Sequence, residues 1–189
     1  MHASSRPADS LVFETALGFV GIAWNGGGLT RLCLFQRERA AVERRLDRFG
    51  ASPAEAADAP PWIAALLRDI GAYAQGREID FSGVPVDLPG VDDFRAAIYA
   101  AARTLGFGQT TTYGELAKRA GHAGLPRETG QALGANPVPL VIPCHRILAA
   151  GGKIGGFSAP GGSTTKARML ALEGVRLDPP PGPQHAFAF

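Results

Sequence analysis

The stretch GFVGIAWNGGGLTRLCLF, residues 18–35, decides the first part of the fold. Residues 18–24 and 29–35 are apolar runs that favour strands, and the NGGG between them supplies residues able to take a positive φ. This pattern predicts a β-hairpin and therefore an antiparallel sheet. Cys33 lies in the second run, where it is typical of a small thiol on a sheet face.

Helical patterns follow the hairpin. Apolar residues recur at helical spacing in RERAAVERRLDRF, residues 37–49, and in PPWIAALLRDIGAYAQG, residues 60–76. The segment VPVDLPG, residues 84–90, contains two prolines and predicts an extended connector. We therefore expect an α/β (α+β) chain, with an antiparallel-sheet domain over residues 1–88 and a mostly helical domain over residues 89–176.

The second domain begins with capping residues. Asp92 and Asp93 can cap a helix with an apolar stripe, and Thr112 can cap a short helix that stops at Gly121. A helix of small residues is expected from about Arg127 to Ala135. Two short helices across a tight connection have the size of a helix-turn-helix. The tail LDPPPGPQHAFAF, residues 177–189, is rich in proline and indicates an extended or disordered end.

Charge is distributed unevenly along the chain. The net charge is only +2, but residues 94–176 carry ten Lys and Arg against three Asp and Glu, whereas residues 1–93 carry nine against thirteen. A positive field over the second part would attract a polyanion, although a solvated surface can show the same asymmetry.

Composition limits the class of protein. With 46% apolar and 19% charged residues, the chain is typical of a globular protein. Charges interrupt every apolar stretch too early for a membrane span, and the start has no signal-peptide pattern, so we expect a cytoplasmic protein. Two cysteines without paired Cys/His spacing indicate neither a disulfide scaffold nor a metal site.

The stretch NPVPLVIPCHRIL, residues 136–148, holds the candidate nucleophile. Its prolines restrict the backbone, and LVI predicts a short buried strand that delivers Cys144 and His145 at its end. A thiol with an ordinary pKa of about 8.5 needs a nearby base or positive field, which His145 or Arg146 could supply. Because neighbouring strand residues face opposite sides, the pair can share a pocket only if the chain turns there or a water bridges them. A structural cysteine beside an exposed histidine is the alternative.

A carboxylate follows in SAPGGSTTKARMLALEGV, residues 158–175. This segment predicts a helix capped by Ser163 to Thr165 and ended by Gly174. Glu173 lies on the apolar face, where both burial and the negative end of the helix dipole disfavour its charge. It therefore needs a partner, and His145 is the candidate, which would give a Cys-water-His-Glu relay. An exposed glutamate at a frayed helix end is the alternative.

Residues 136–148 resemble the active-site signature of the O6-alkylguanine-DNA alkyltransferases, whose core is Pro-Cys-His-Arg. The resemblance extends in register over residues 11–176. Residues 111–121, TTYGELAKRAG, are similar to the first helix of that family's helix-turn-helix, and RETGQALGAN, residues 127–136, to its recognition helix. IGGFSAPGG and KARMLALEG resemble its guanine-pocket loop and closing helix, and the stretch from Phe13 to Phe35 resembles its small first domain.

The resemblance implies a role for each matching residue. Cys144 is the alkyl acceptor, His145 the base acting through water, Glu173 the acid that orients it, and Asn136 the brace of the adjacent turn. Tyr113 crowds the phosphate on the 3′ side of the lesion. The remaining implied roles are insertion into the base stack by Arg127 and a guanine pocket made by backbone groups of Cys144 and Ile147 with Ser158 and the ring of Phe157.

The implied reaction is single-turnover DNA repair. The protein would bind double-stranded DNA as a monomer, flip out an O6-alkylguanine, and move the alkyl group to Cys144 without a cofactor or metal. Preference for methyl over bulkier groups, and activity on O4-methylthymine, are left open. Glu128 and Thr129 depart from the family's usual Arg-Ala-Val-Gly, and an acidic residue beside phosphates weakens binding unless it points away.

Two other functions fit parts of the pattern. A cysteine hydrolase could use Cys144, His145 and Glu173, but it would need an oxyanion hole. A lesion-binding protein without catalysis would have no need of the nucleophile.

Overall fold

The computed structural model describes residues 8–177 of the chain. The first part of these residues forms a four-stranded sheet. Its strands are β1 (Asp9–Thr15), β2 (Gly18–Asn25), β3 (Gly28–Gln36) and β4 (Ser52–Pro53), in the order β3-β2-β1-β4. The first three are antiparallel neighbours, and the short β4 pairs in parallel with β1. The hairpin predicted from the sequence is confirmed as β2 and β3, whereas β1 was not identified there.

The connector over residues 84–90 is extended, as expected, and lies against the start of β3. The N–H of Leu29 donates to the carbonyl of Pro85 at 2.9 Å, and the N–H of Asp87 donates back to the carbonyl of Leu29 at 3.0 Å. This contact requires glycine at position 28, where φ is +146° and a Cβ would lie 2.8 Å from the Pro85 carbonyl.

Six α-helices belong to the described part of the fold. They are α1 (Arg39–Asp47), α2 (Pro61–Ala74), α3 (Asp93–Arg103), α4 (Tyr113–Arg119), α5 (Pro126–Gly134) and α6 (Gly162–Leu172). The side chains of Asp92 and Thr112 accept from backbone N–H groups in the first turns of α3 and α4, which confirms both predicted caps. The α+β class is thus confirmed. Within residues 8–177, none of the helices has the length and apolar character required to cross a membrane.

The main core lies on the face of the sheet opposite α1 and continues without interruption into the helical part. Ile22 and Leu29 of the sheet, Ile70 of α2 and Ile98 of α3 are all completely buried in it. The N–H of Leu32 on the edge strand β3 donates to the carbonyl of Pro137 at 2.9 Å. The sheet edge therefore holds the beginning of the segment that carries Cys144.

The short strand predicted at residues 140–142 is wrong. Leu140 has a positive φ of 79°, and the N–H of Ile142 donates to the carbonyl of Val138 at 2.9 Å, which closes a tight loop. Prolines at positions 139 and 143 lack the N–H groups that a strand ladder needs, so the chain turns back on itself. A short strand follows the cysteine: β6 (Ile147–Leu148) pairs in parallel with β5 (Thr111–Thr112).

The cap predicted for α6 at Ser163 to Thr165 is also wrong. Gly161, with a φ of 82°, precedes the helix and makes no side-chain cap. The hydroxyl of Thr165 instead donates to the carbonyl of Pro160 at 2.6 Å. Gly174, with a φ of 74°, follows the last turn as expected. The predicted tail, residues 177–189, lies outside the described residues except for its first position.

Candidate active site

Cys144 begins a single turn of 3-10 helix, Cys144–Arg146, directly after the tight loop. The N–H of Arg146 donates to the carbonyl of Pro143 at 2.9 Å and closes this turn. The chain therefore turns at the cysteine, which is the condition under which Cys144 and His145 can serve one site. All three residues of the turn are buried.

Asn136 connects the loop to the thiol. Its amide nitrogen donates to the carbonyl of Ile142 at 2.8 Å and to the Cys144 sulfur at 3.4 Å. Its side-chain oxygen accepts from the N–H of Val138 at 3.0 Å. One side chain thus fixes the loop and supplies a hydrogen bond that favours the thiolate.

Glu173, at the end of α6, lies behind the cysteine turn and binds two of its residues. One carboxylate oxygen, Oε1, is 2.7 Å from His145 Nε2 and accepts from Arg146 Nη2 at 2.9 Å. The other, Oε2, accepts from Arg146 Nε at 2.8 Å and from the N–H of Gly108 at 3.0 Å. The third arginine nitrogen, Nη1, donates to the carbonyl of Leu105 at 2.6 Å, so this guanidinium is held on three sides.

Glu173 stays ionised although it is buried. Burial alone would raise the pKa of this carboxyl, but hydrogen bonds from His145 and Arg146, together with the positive charge of Arg146, lower the pKa to about 2. Glu173 is therefore ionised at neutral pH and accepts hydrogen bonds without taking a proton.

The ionised carboxylate fixes the tautomer of His145. Because Oε1 can only accept, Nε2 must carry a hydrogen, and the lone pair of the neutral ring is on Nδ1. Among residues 8–177, no group forms a hydrogen bond with this buried Nδ1. Burial lowers the pKa of His145 against the opposing effect of Glu173, so the ring is neutral at rest and Nδ1 is free to accept a proton.

The Cys144 thiol is protonated at rest. Burial raises the pKa of this thiol, while the Asn136 hydrogen bond and the charge of Lys166 lower it in part. Lys166 is completely buried on α6, where its Nζ donates to the carbonyl of Ile147 and, at 3.3 Å, to that of Gly156. Burial lowers the pKa of Lys166 to about 8, and the nearby cysteine opposes that shift.

The positive field at the thiol therefore comes from Lys166 and not from Arg146, which is bound to Glu173 and Leu105. The sequence had offered His145 and Arg146 as sources of a base or a field, and it missed Lys166. A lysine three positions after Ser163 in a polar first turn looks like a solvent-exposed residue, and no signal in the sequence marks it as buried.

A cavity of about 490 Å³ opens in front of Cys144. Tyr113 at the start of α4 and Arg127 at the start of α5 lie on its wall, and Phe157 and Ser158 of the following loop close another side. The Tyr113 hydroxyl donates to the carbonyl of Gly156 at 3.3 Å. The structure therefore brings the thiol, the two residues assigned to DNA and two of the residues assigned to guanine around one space.

Ile147 does not line this cavity. It is completely buried, and its carbonyl accepts from Lys166 while its N–H donates to the carbonyl of Cys144. A carbonyl oxygen has two lone pairs, so the carbonyls of Cys144 and Ile147 can each still accept a further hydrogen bond. Their part in a guanine pocket stays a prediction.

The two residues that depart from the family pattern, Glu128 and Thr129, lie in the first turn of α5 and differ in exposure. Arg127 and Glu128 are exposed, whereas Thr129 is completely buried and its hydroxyl donates to the carbonyl of Leu125 at 2.8 Å. Thr129 thus stabilises the helix start from inside, and only Glu128 adds negative charge to the surface of this turn.

A second cavity, of about 230 Å³, also reaches Cys144 and lies between the cysteine loop and the sheet. Asn136, Pro139 and Cys144 line it from the helical part, and Cys33 and Arg45 line it from the sheet and α1. Burial raises the pKa of Cys33 against the opposing charge of Arg45. No group of three or more His, Cys, Asp or Glu residues within the described chain is arranged to hold a metal ion.

A family model and several known proteins match this chain. The model for the DNA binding domain of 6-O-methylguanine DNA methyltransferase matches residues 93–175. The methylated-DNA–protein-cysteine methyltransferase of Methanothermobacter thermautotrophicus is 34% identical over 160 residues, which cover 84% of this chain and 81% of the relative. The protein of the same name from Sulfolobus acidocaldarius is 42% identical over 60% of this chain and 68% of its own length.

Solved structures match over most of the fold. The crystal structure of Mycobacterium tuberculosis O6-methylguanine methyltransferase is 31% identical with a TM-score of 0.68, covering 88% of this chain and 92% of that one. Mycobacterium tuberculosis OGT in complex with DNA is 30% identical with a TM-score of 0.68, covering 87% of this chain and 92% of that one. The similarity therefore includes both the sheet and the helical part.

Proposed function

The chain belongs to the methylated-DNA–protein-cysteine methyltransferase family, and from this membership we propose that Cys144 is the residue that accepts the alkyl group. The protein transfers an alkyl group from the O6 atom of guanine in DNA to one of its own cysteines, as the sequence predicted. It acts once per molecule, because a thioether in the protein has no route back to the thiol. The residues that perform this transfer are the proposal.

The observation that supports Cys144 is its position between the 490 Å³ cavity and the buried His145–Glu173 pair. Cys33, the other cysteine, packs with Val42 and Leu46 of α1 and does not line that cavity. Only Cys144 therefore combines access to an incoming base with a proton acceptor and a cation behind it.

The thiol proton leaves by way of His145 in the proposed mechanism. The proton passes through one water to Nδ1, since Nε2 is already bonded to Glu173. The resulting imidazolium is stabilised by the ionised carboxylate, which keeps its charge and takes no proton. Lys166 and the amide of Asn136 stabilise the thiolate that remains.

The transfer itself is an in-line displacement. A lone pair of the Cys144 sulfur forms a bond to the alkyl carbon while the bond from that carbon to O6 breaks. Guanine leaves with the electron pair and then takes up a proton, which restores its normal form. The thioether stays on Cys144.

The guanine must leave the base stack for this geometry to be reached. Tyr113 and Arg127, at the starts of α4 and α5, line the cavity, and in the proposed mechanism the DNA lies against this side of it. We assign Tyr113 to crowding of the phosphate next to the lesion and Arg127 to filling the gap that the flipped base leaves. Phe157 and Ser158 then contact the extrahelical guanine inside the cavity.

The cysteine hydrolase is disfavoured by the backbone at the nucleophile. The N–H of Cys144 donates to the carbonyl of Ile142 at 2.8 Å, so it is not free to stabilise an oxyanion. A non-catalytic lesion binder would not need the buried proton acceptor.

The proposal also includes a domain boundary near residue 88, a monomeric state and a cytoplasmic location. The DNA substrate and the two unpaired cysteines support the cytoplasmic location.

Mass spectrometry tests the assignment. The protein is mixed with a duplex containing O6-methylguanine, digested and mapped. We expect one methyl group on the peptide that contains Cys144 and none on the peptide that contains Cys33. Methylation of Cys33, or transfer that persists in Cys144→Ala, would overturn the assignment, and Cys33→Ala is the matched control that should react like the parent.

A further inference from the structure

Tyr73 brings the first part of the chain into contact with the candidate catalytic groups. It lies near the end of α2, is completely buried, and is outside the segment 93–175 that the family's DNA-binding model matches. Its hydroxyl donates to Glu173 Oε1 at 2.9 Å, across 100 positions of sequence. The sequence predicted only a helical pattern over residues 60–76 and no role for this tyrosine.

The contact places a third donor on one carboxylate oxygen. Glu173 Oε1 accepts from the Tyr73 hydroxyl, from His145 Nε2 and from Arg146 Nη2, all within 2.7–2.9 Å. Burial and the charge of Glu173 raise the pKa of Tyr73 well above its usual value, so the hydroxyl stays protonated and can only donate. The tyrosine therefore competes directly with the histidine for the same electron density.

Packing fixes the tyrosine in this position. Its ring makes edge-to-face contacts with Phe81, Phe107 and His145, with centroid separations of 5.9, 6.2 and 6.5 Å. Contacts on several sides leave the ring little rotational freedom. The hydroxyl is thus held on the carboxylate while the ring edge limits movement of the imidazole.

We propose that Tyr73 is a positioning residue for alkyl transfer, which shares Glu173 Oε1 with His145 and so limits the basicity of the imidazole. The proposal rests on the proposed function, in which His145 Nδ1 accepts the thiol proton. A carboxylate oxygen that also accepts a hydrogen bond from Tyr73 stabilises the imidazolium of His145 less strongly. His145 then remains neutral, and able to accept a proton, to lower pH.

Other charged groups around His145 act in both directions. Glu173, at the end of α6, raises the pKa of the imidazole, while Arg146 in the same turn and Lys166 on α6 lower it. Burial lowers it further. Tyr73 of α2 binds Glu173 and contacts the His145 ring, and its hydroxyl can be removed without changing a formal charge, which makes it a suitable site for a test.

The first experiment is a titration of His145. NMR of 15N-histidine-labelled protein follows the ring nitrogens with pH in the parent, in Tyr73→Phe and in Tyr99→Phe. Tyr99 is the matched control because it is also buried and its hydroxyl donates at 2.9 Å, but to the carbonyl of Ala132. We expect the pKa of His145 to rise by about 0.5–1 unit in Tyr73→Phe and to stay unchanged in Tyr99→Phe.

The second experiment measures single-turnover methyl transfer over the same pH range. When each rate is divided by that protein's own rate near pH 8, Tyr73→Phe should fall about 3–10-fold below the parent at the acid end, because more of its His145 is charged. A merely structural role would lower the melting temperature of both variants and leave the pH profiles superimposable.

A fluorotyrosine at position 73 keeps the ring and the fold while making the hydroxyl a stronger donor, so it should shift the His145 titration in the opposite direction. The proposal is overturned if the pKa of His145 does not shift in Tyr73→Phe, or if it shifts equally in Tyr73→Phe and Tyr99→Phe. If Tyr73→Phe does not fold, the direction of the His145 shift in the fluorotyrosine protein decides the proposal. A parent protein that never methylates Cys144 would instead refute the proposed function.

Discussion

Replacing Glu173 with glutamine tests how strongly the buried carboxylate stabilises the fold. Its two oxygens accept five hydrogen bonds, from Tyr73, His145, Gly108 and, twice, Arg146. Within residues 8–177, Glu173 is the only carboxylate in a salt bridge with Arg146, which is 4% exposed. Glutamine keeps the shape, but it removes the counter-charge and points an amide at groups that are themselves donors.

The expected loss is large for a single substitution. Removing one partner of a buried ion pair costs about 3–5 kcal/mol. The pKa of Glu173, about 2 against an ordinary 4.5, independently corresponds to about 3 kcal/mol. At about 2–4 °C per kcal/mol for a chain of this size, Glu173→Gln should melt about 6–20 °C below the parent.

The pH dependence identifies the carboxylate as the cause. Because folding lowers the pKa of Glu173, its contribution is complete above pH 4.5 and is lost as the pH falls through about 2. The gap in unfolding free energy between parent and variant should therefore narrow over that window. Urea unfolding at a series of pH values measures it, with Glu78→Gln, an exposed glutamate, as a control that changes by no more than about 0.5 kcal/mol. The reasoning would be refuted if Glu173→Gln lowered the free energy of unfolding by less than about 1 kcal/mol at pH 7, or if the difference from the parent stayed constant as the pH fell toward 2.

Three further predictions concern the reaction. Arg127→Ala should slow repair of duplex DNA far more than transfer from free O6-benzylguanine, because a free base needs no extrusion; equal losses in single-turnover assays would place the arginine in chemistry or folding. Lys166→Gln should raise the pKa of the Cys144 thiol further, by about 1–3 units, seen as a later onset of iodoacetamide alkylation with pH, and an unchanged onset would remove Lys166 from the site. Asn136→Ala removes the side-chain acceptor of the buried Val138 N–H and one of the two donors to the carbonyl of Ile142, so it should lower the unfolding free energy by about 1–3 kcal/mol in urea titrations; no loss would show that the loop does not depend on these bonds.

Local signals in the sequence predicted much of the fold. The β2–β3 hairpin, the Asp92 and Thr112 caps and the glycine after α6 depend on residues close to one another in the chain, so their patterns are visible without the structure. The pairing of Glu173 with His145 was also expected, because a carboxylate on an apolar helix face requires a partner.

Long-range contacts account for what the sequence did not reveal. The loop at Leu140 depends on the Asn136 amide and on prolines that cannot join a ladder, although its apolar residues look like a strand. Tyr73 meets the site across 100 positions of sequence, and Lys166 meets it across 19, so neither contact follows from a local pattern. Neither residue type nor spacing distinguishes a buried lysine that donates to carbonyls from one in solvent.

The number of methyl groups transferred per chain tests the central claim most directly. The protein is incubated with a large excess of duplex carrying a labelled O6-methylguanine until transfer stops, and protein-bound label is then quantified and mapped. A plateau at one methyl group per active chain, all of it on the peptide containing Cys144, is the predicted result. Continued turnover, release of the label into solution, or label on the Cys33 peptide would contradict a single irreversible transfer to Cys144.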